Sequence, residues 1–564
     1  MRLPKSPFWP ANIPHTLDVP DRNLYEHLQG SALQYPAKTA IDFYGKTISY
    51  AELHRAVLSL AGYLQHEVSV KPGDRVVLQM QNCPQFVMSY FAVLRANAVV
   101  VAINPMCTPE ELKYYIEDCG ANVLITMQDH LPGALPLLEL DLLQHCIVGA
   151  YGDHAGTPAD VPWLNFPPFV SAPRQIEKYF GVHDFLDVIQ HSPPPGPLTA
   201  KGADLAVLSY TSGTTGKPKG AMLSHRALAH SVVGRMLWHE DHTEWVDLLL
   251  LPLSHLAATQ SMNVGILIGR TFVIQARWDA SNAIELIERN KINVMAMVTP
   301  MLIDFMAHAK QPGADLSSVK RLFCSATATP EAVSDAVENR LKLKYIESYG
   351  MTETCGGTHV NPLRAPRRNC GGIAFINVDS RILDPETGVE LGPNQPGEIV
   401  THGPTLFNGY WNRPDATRDT LIEIDGLRFI RTGDIGYYDE DGYFYITDRL
   451  KRMINASGLK VWPAEIESWL FDHPAVQDVC VISAQDPHRG ETVKAFIILR
   501  PAYQGKVQPE EITEWARNRM AAYKVPRIVE FLDQLPRTAS GKVLWRQLQD
   551  EQNQRDHKLH SAAH

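Results

Sequence analysis

The stretch Tyr210-Thr-Ser-Gly-Thr-Thr-Gly-Lys-Pro-Lys-Gly-Ala221 governs how the rest of the chain is read. It follows an apolar run at 204–209 (DLAVLS) with the density of a buried strand, and it precedes a helix-compatible run at 224–233 (SHRALAHSVV). Three glycines allow backbone conformations that turn N–H groups towards an anion, and four Ser/Thr hydroxyls add donors. Lys217 and Lys219 can neutralise phosphate charge. Pro218 stands where a Walker loop carries its magnesium-binding Ser or Thr, so this is a phosphate loop of another kind. A flexible linker has a similar composition, but linkers rarely join a buried strand to a helix with so many donors.

Outward from this loop, strand-like runs alternate with amphipathic stretches of helical length. The runs are 75–80 (RVVLQM), 122–126 (NVLIT), 204–210, 292–298 (INVMAMV) and 319–324. Such alternation predicts largely parallel sheets joined by right-handed crossovers, an α/β fold. The most apolar window, 86–103, is interrupted by Arg95 and Asn97 and reads as a buried helix followed by a strand, not a membrane span. The Pro- and aromatic-rich stretch 162–197 reads as an irregular surface excursion and leaves membrane contact open. From about residue 388 the texture shifts to short strands punctuated by Gly and Pro. A compact α+β pattern closes the chain: helix 463–471, strands 476–483 and 493–499, helix 509–522. The charged join at 448–451 (DRLK) separates the two textures, and the polar stretch from 549 reads as a frayed tail.

Composition narrows the function class. The 564 residues carry 52 Lys+Arg against 62 Asp+Glu, a formal charge of −10, which speaks against a protein that coats nucleic acid. With 45% hydrophobic residues the chain is not disordered. Eight scattered cysteines form no CxxC pair and suit a reducing cytosol better than a disulfide framework. The run His239-Glu240-Asp241-His242 lacks the spacing of a zinc site and reads as a solvated loop. The first residues contain no apolar signal core, and the final SAAH is neither a prenylation box nor a peroxisomal address, so a cytoplasmic protein is expected.

Six motifs recur in a fixed order: YTSGTTGKPKGA, LPLSH (251–255), YGMTET (349–354), TGD (432–434), DRLKRMINASGLK (448–460) and PRTASGK (536–542). In this order they closely resemble the motifs of the adenylate-forming superfamily, which comprises acyl-CoA synthetases, adenylation domains and firefly-type luciferases. The whole-chain texture is most like medium- or long-chain fatty acid–CoA ligases. The resemblance implies a large N-terminal multi-lobed α/β domain (1–447), a hinge (448–452), a small mobile C-terminal α+β domain (453–550) and a flexible tail (551–564). It also implies ATP, Mg²⁺ and CoA as reaction partners of a carboxylic acid. The acid attacks the α-phosphate, pyrophosphate leaves, and the acyl-AMP passes its acyl group to CoA. Aryl or branched acids remain an alternative, as does a non-catalytic acyl-nucleotide-binding protein. Homodimerisation is left open.

The same resemblance implies residue roles. Thr211, Ser212, Gly213, Thr214, Thr215 and Lys219 would hold the β- and γ-phosphates. Thr352 would contact the α-phosphate and Glu353 would hold Mg²⁺. Tyr349, with Gly350 and Met351 beside it, would stack on adenine against a wall at Ala326, Thr327 and Ala328, where relatives usually carry a Gly-rich stretch. Asp434 would accept from both ribose hydroxyls, with Arg449 as a second contact. His255 would lie beside the carboxylate, although Ser254 replaces the usual aromatic residue before it. Lys542 would bridge carboxylate and α-phosphate, and Lys451 would be the pivot on which a second face rotates in. That face would carry Gly458 and Lys460 towards CoA. The acid pocket is expected from 255–269 and 355–361, with Ala257, Ala258, Ser261 and Gly265 leaving room for an alkyl chain.

Overall fold

A computed structural model describes residues 6–211, 217–309, 314–325, 331–342, 345–456, 459–486, 490–537 and 543–562. The chain divides into two compact units, 1–379 with 402–430, and 380–401 with 431–564.

The first unit is built on parallel sheets. One runs Val182–Asp184, His145–Gly149, Val123–Met127, Arg75–Gln79, Val99–Ala102 and Leu205–Thr211, all parallel, and ends on the antiparallel Lys219–Ser224. Another runs Ile346–Met351, Arg321–Ser325, Val294–Val298, Val246–Leu249, Thr271–Ile274 and Thr39–Phe43, again parallel throughout. Its antiparallel neighbours are Lys46–Ser49 at one side and Gly356–Val360 at the other. The Val- and Leu-rich runs of these strands are covered on both faces, which is why they read as continuous apolar segments. Helix Pro84–Arg95 is buried from Pro84 to Leu94, as the apolar window 86–103 predicts, and strand Val99–Ala102 follows it.

Strands Asp379–Leu383, Gly397–His402, Leu427–Tyr438 and Tyr443–Arg449, most of whose residues belong to the second unit, lie side by side in that order. A separate sheet orders Leu459–Val461, Ile454–Ala456, Gly490–Leu499 and Val476–Asp486, with Ile528–Phe531 parallel to Gly490–Leu499. Helices Pro463–Phe471 and Pro509–Arg517 cover an apolar core that includes Ile466, Leu470, Val481, Ile497 and Ile512. The mixed α/β class, with a large N-terminal part and a smaller C-terminal one, agrees with the expectation.

Four local readings change. The phosphate loop leads first into strand Lys219–Ser224, and helix His225–Trp238 starts only after it, with Ser224 Oγ accepting from Ala227 N as its N-cap. The run at 239–242 is not a solvated loop: His239 is buried, and the Asp241 carboxylate is enclosed against Arg270 at 2.6 Å. The stretch 162–197 contributes edge strand Val182–Asp184 and helix Phe185–His191, although Phe180 stays 93% exposed. The polar tail belongs to helix Trp545–Ala562. It is anchored because Gln552 Oε1 accepts from Lys494 Nζ at 2.7 Å and Asp556 Oδ2 accepts from Gln485 N at 3.0 Å, contacts that composition does not reveal.

Candidate active site

Thr211 and Lys219 close a hairpin, paired across the two strands that flank the phosphate loop. Ser212, Gly213, Thr214 and Thr215 lie outside the described residues. The loop is fixed at its base by aromatics: Tyr114 OH donates to Pro218 O at 2.6 Å, and Lys217 Nζ lies 5.0 Å from the Tyr114 ring centroid. Tyr210 OH donates to Asp118 Oδ2 at 2.6 Å, and Arg413 Nη2 donates to Asp118 Oδ1 at 2.6 Å. The Asp118 carboxylate thereby ties the loop strand to the segment around 410.

That segment brings the first cluster together. Gly220 O accepts from Trp411 N at 2.8 Å, and Met222 N donates to Gly409 O at 3.0 Å. Gly409 has φ +119°, and a Cβ there would come within 2.8 Å of Thr417 Cγ2, so no side chain fits without displacement. The turn points Tyr410 OH at Glu353 Oε1, to which it donates at 2.6 Å, while Lys219 Nζ sits 5.0 Å from the Tyr410 ring centroid. Burial is the main reason the Tyr410 phenol is raised above the ordinary tyrosine value, followed by the Glu353 charge, so it remains a donor. Lys219, Tyr410 and Glu353 form one contiguous group.

Glu353 sits in the short turn Thr352–Thr354, 5% exposed, and its backbone O accepts from Phe407 N at 2.8 Å. Strand Ile346–Met351 delivers Tyr349, Gly350 and Met351 to this turn. Gly350 pairs with Gly357 across a register shift, and a Cβ at Gly350 would meet Gly356 O at 2.0 Å, so the bend requires glycine. Tyr349 is half-buried with His359 5.5 Å away, centroid to centroid. Ala326, Thr327 and Ala328 lie outside the described residues.

His255 is exposed and caps helix Leu256–Ile268, its Nδ1 accepting from Ala257 N at 3.3 Å. Of the small residues expected to open the acid pocket, Ala258 and Ser261 line a cavity. Gly265 is small for a different reason: a Cβ there would lie 2.4 Å from the Phe272 ring.

In the second unit Asp434 and Arg449 are cross-strand partners, with Arg449 Nε 2.7 Å from Asp434 Oδ1. Asp434 is 3% exposed, and its N–H donates to Thr432 Oγ1, which in turn donates to Ile399 O at 2.7 Å. Beyond Arg449 the turn Leu450–Arg452 holds Lys451, exposed, between two anchored neighbours. Asp448 Oδ2 accepts from Ala464 N at 2.7 Å in the first turn of helix Pro463–Phe471, and Arg452 pairs with Glu467. Strand Leu459–Val461 carries Lys460 opposite Asn455, but the Lys460 side chain, Gly458 and Lys542 lie outside the described residues. The loop bearing Lys542 is closed at its neck by the Arg537–Val543 bridge and by Leu544 N donating to Pro536 O at 2.8 Å.

Among the described residues no three His, Cys, Asp or Glu side chains cluster as a metal site, and no helix is long and apolar enough to cross a membrane. A magnesium ion that travels with a polyphosphate needs only one or two protein carboxylates, so the fixed, buried oxygen donor Glu353 fits one.

Residues 28–411 match the family described as AMP-binding enzyme, and residues 465–542 match the AMP-binding enzyme C-terminal domain. The chain belongs to the AMP-binding enzyme family. This AMP-binding enzyme is 34% identical over 559 residues to the long-chain-fatty-acid–CoA ligase of Bacillus subtilis (strain 168), covering 97% of this chain and 98% of that one. It is also 34% identical over 512 residues to a feruloyl-CoA synthase of an Amycolatopsis species, covering 90% and 95%. Among solved structures, ATP-bound MatB from Rhodopseudomonas palustris superposes with a TM-score of 0.81 at 26% identity, covering 94% of this chain and 99% of that one. These matches place the AMP-binding enzyme in the adenylate-forming superfamily, most like fatty acid–CoA ligases, and support AMP-forming acid–CoA ligase chemistry with ATP and CoA as co-substrates.

Proposed function

We propose that this AMP-binding enzyme activates a medium- or long-chain fatty acid and hands it to CoA. The observation that carries the adenylation step is the contiguous group Lys219–Tyr410–Glu353 at the base of the phosphate loop, where one cation and one carboxylate are held at fixed positions. The acid class rests on the 34% identity to a long-chain-fatty-acid–CoA ligase across nearly the whole chain. The fatty acid carboxylate attacks the α-phosphate in line, pyrophosphate leaves, and the CoA thiol then displaces AMP from the mixed anhydride. Such chemistry depends on positioning and charge neutralisation more than on acid–base transfer.

Lys219 and Thr211 to Thr215 neutralise and cradle the β- and γ-phosphates. Glu353 would hold Mg²⁺, which would supply further neutralisation of polyphosphate charge, and Thr352 reaches the α-phosphate. Asp434 and Arg449 take the ribose, and Tyr349 takes the base. His255, at the head of helix Leu256–Ile268, lies beside the acid carboxylate. Lys542 bridges carboxylate and α-phosphate, and a rotation about Lys451 replaces it with the face carrying Gly458 and Lys460. The feruloyl-CoA synthase match favours one second reading, an aryl acid on the same scaffold.

The test is pyrophosphate and AMP release from ATP and Mg²⁺ across fatty acids of increasing length plus benzoate, 4-coumarate and leucine, each with and without CoA. CoA-dependent turnover that peaks with a fatty acid is expected. A peak with an aromatic acid moves the substrate to the second reading, and no pyrophosphate from any acid refutes the ligase.

A further inference from the structure

Helix His225–Trp238 begins directly after the hairpin strand Lys219–Ser224, and helix Leu256–Ile268 begins at His255. The two helices converge on one carbonyl, Cys355 O, which accepts from Ser231 Oγ at 2.9 Å and Gln260 Nε2 at 3.0 Å. Both therefore leave the reactive end together. At a rise of 1.5 Å per residue, Val264 lies roughly 13 Å along from His255, and Arg235 roughly 16 Å along from Ser224. Between them runs a cavity of about 40 Å³, walled near His255 by Leu251 and Ala258 and bounded further on by Arg235 and His239. That volume is room for a few waters, so a chain that reaches Arg235 has to part the side chains between the two helices as it enters.

The far end of this cavity is charged and incompletely paired. Arg270 is used up: Nη1 donates to Asp247 Oδ1 at 2.9 Å, Nη2 to Asp241 Oδ1 at 2.6 Å and Nε to His242 O at 3.1 Å. Arg321 Nε donates to His239 O at 3.4 Å, and its guanidinium lies over Trp245. Glu240 points outward and pairs with Arg364 at 3.7 Å. Arg235 stands apart, because among the described residues its guanidinium donates no hydrogen bond and has no carboxylate within ion-pair distance. Beside it His239 is 5% exposed, and its Nε2 is buried with no hydrogen-bond partner. Burial holds the His239 ring well below the usual histidine range and therefore neutral. The cavity is lined by two guanidiniums, Arg235 and Arg270, and two carboxylates, Asp241 and Asp247, and burial raises Asp247 to about 7, which leaves a positive excess near neutral pH.

An alkyl terminus would leave both Arg235 and His239 Nε2 desolvated without partners. A carboxylate would accept from the Arg235 fork and from His239 in the tautomer that carries its proton on Nε2, and it would cancel the excess charge. Resting on the ligase reading above, we infer that the preferred acid carries a second carboxylate at the far end of its chain: an α,ω-dicarboxylic acid, recognised by Arg235 and His239.

The test compares kcat/KM for CoA-dependent AMP release between α,ω-dicarboxylic and monocarboxylic acids of matched length, in the wild type, Arg235→Met and Arg235→Lys. The wild type should favour the dicarboxylate by about a hundredfold at its best length, since a site built for a polar group rejects the analogue that lacks it. Arg235→Met should remove that preference, chiefly through a higher KM for the dicarboxylate. Arg235→Lys should keep part of the preference, and if Arg235→Met fails to fold, the wild-type preference with the Arg235→Lys result decides. A wild type that favours monocarboxylates, or a preference unchanged in Arg235→Met, overturns the inference and leaves the ligase standing. No turnover with either series refutes the ligase and the inference with it.

Discussion

Replacing Tyr410 with Phe removes a single oxygen and leaves the ring that Lys219 faces. The lost bond runs from a buried phenol to a buried carboxylate at 2.6 Å, and hydrogen bonds to charged groups contribute about 1.5–3 kcal/mol. If Glu353 must be held in one position while the polyphosphate is bound, that energy appears in the adenylation barrier. At 1.36 kcal/mol per decade, kcat/KM for ATP should fall about tenfold to a hundredfold. The assay is coupled pyrophosphate release with ATP varied at several Mg²⁺ concentrations. The half-saturating Mg²⁺ concentration should rise with the loss, which a merely structural role for Tyr410 would not produce. A Tyr410→Phe enzyme that folds normally, with unaltered kcat/KM and unaltered Mg²⁺ dependence, would refute the positioning role.

Asp434→Asn leaves Arg449 without its 2.7 Å carboxylate partner, and the KM for ATP should rise at least about tenfold with little change in the acid KM; equal effects on both substrates would count against a ribose role. Arg270→Met leaves Asp241 and Asp247 buried and unpaired, so unfolding free energy should fall by about 3–5 kcal/mol in a denaturant titration; a loss under about 1 kcal/mol would show that the pair is solvated. Glu347, with Oε2 buried and unpartnered, has its carboxyl raised to about 7 by burial, against an ordinary value of 4.5. Between those two values the folded state holds a proton that the unfolded state has lost, so this group's contribution to stability falls as pH rises, by about 3 kcal/mol in all, and is flat above pH 7. Glu347→Gln should therefore gain on the wild type in thermal melts as pH goes from 5 to 7, and a difference independent of pH would refute this. Lys542→Ala should abolish most pyrophosphate release while ATP still binds, measured by calorimetry.

The local signals were strong where one segment carries its own meaning. The strand runs and helix Pro463–Phe471 could be read from periodicity and punctuation, whereas the Gly-rich loop read as a strand-to-helix connection because the short strand Lys219–Ser224 after it is only six residues long. Tyr410 was within reach, since Gly409 marks a forced turn in the FNGYWNRP stretch, yet nothing in that stretch says that it points at Glu353. The Asp118 clasp joins positions 118, 210 and 413, and no local pattern links them. The run at 239–242 misled because four polar residues look like surface, whereas Arg270, far along the chain, turns Asp241 inward. The terminal helix misled for a similar reason: its buried polar contacts to Lys494 and Gln485 come from a different strand pair.

The bridge between Ala221 and Tyr410 has a consequence for synthesis of the chain. The hairpin that frames the phosphate loop is complete once residue 224 has left the ribosome, but the strand Lys219–Ser224 lacks its neighbour until residue 411 has followed. A nascent or truncated chain ending before 408 would expose an unpaired sheet edge beside a phosphate loop whose Lys219 has no ring to rest on. A premature stop before 408 is therefore expected to yield an aggregation-prone fragment, its hairpin edge left open until the middle of the chain closes over it.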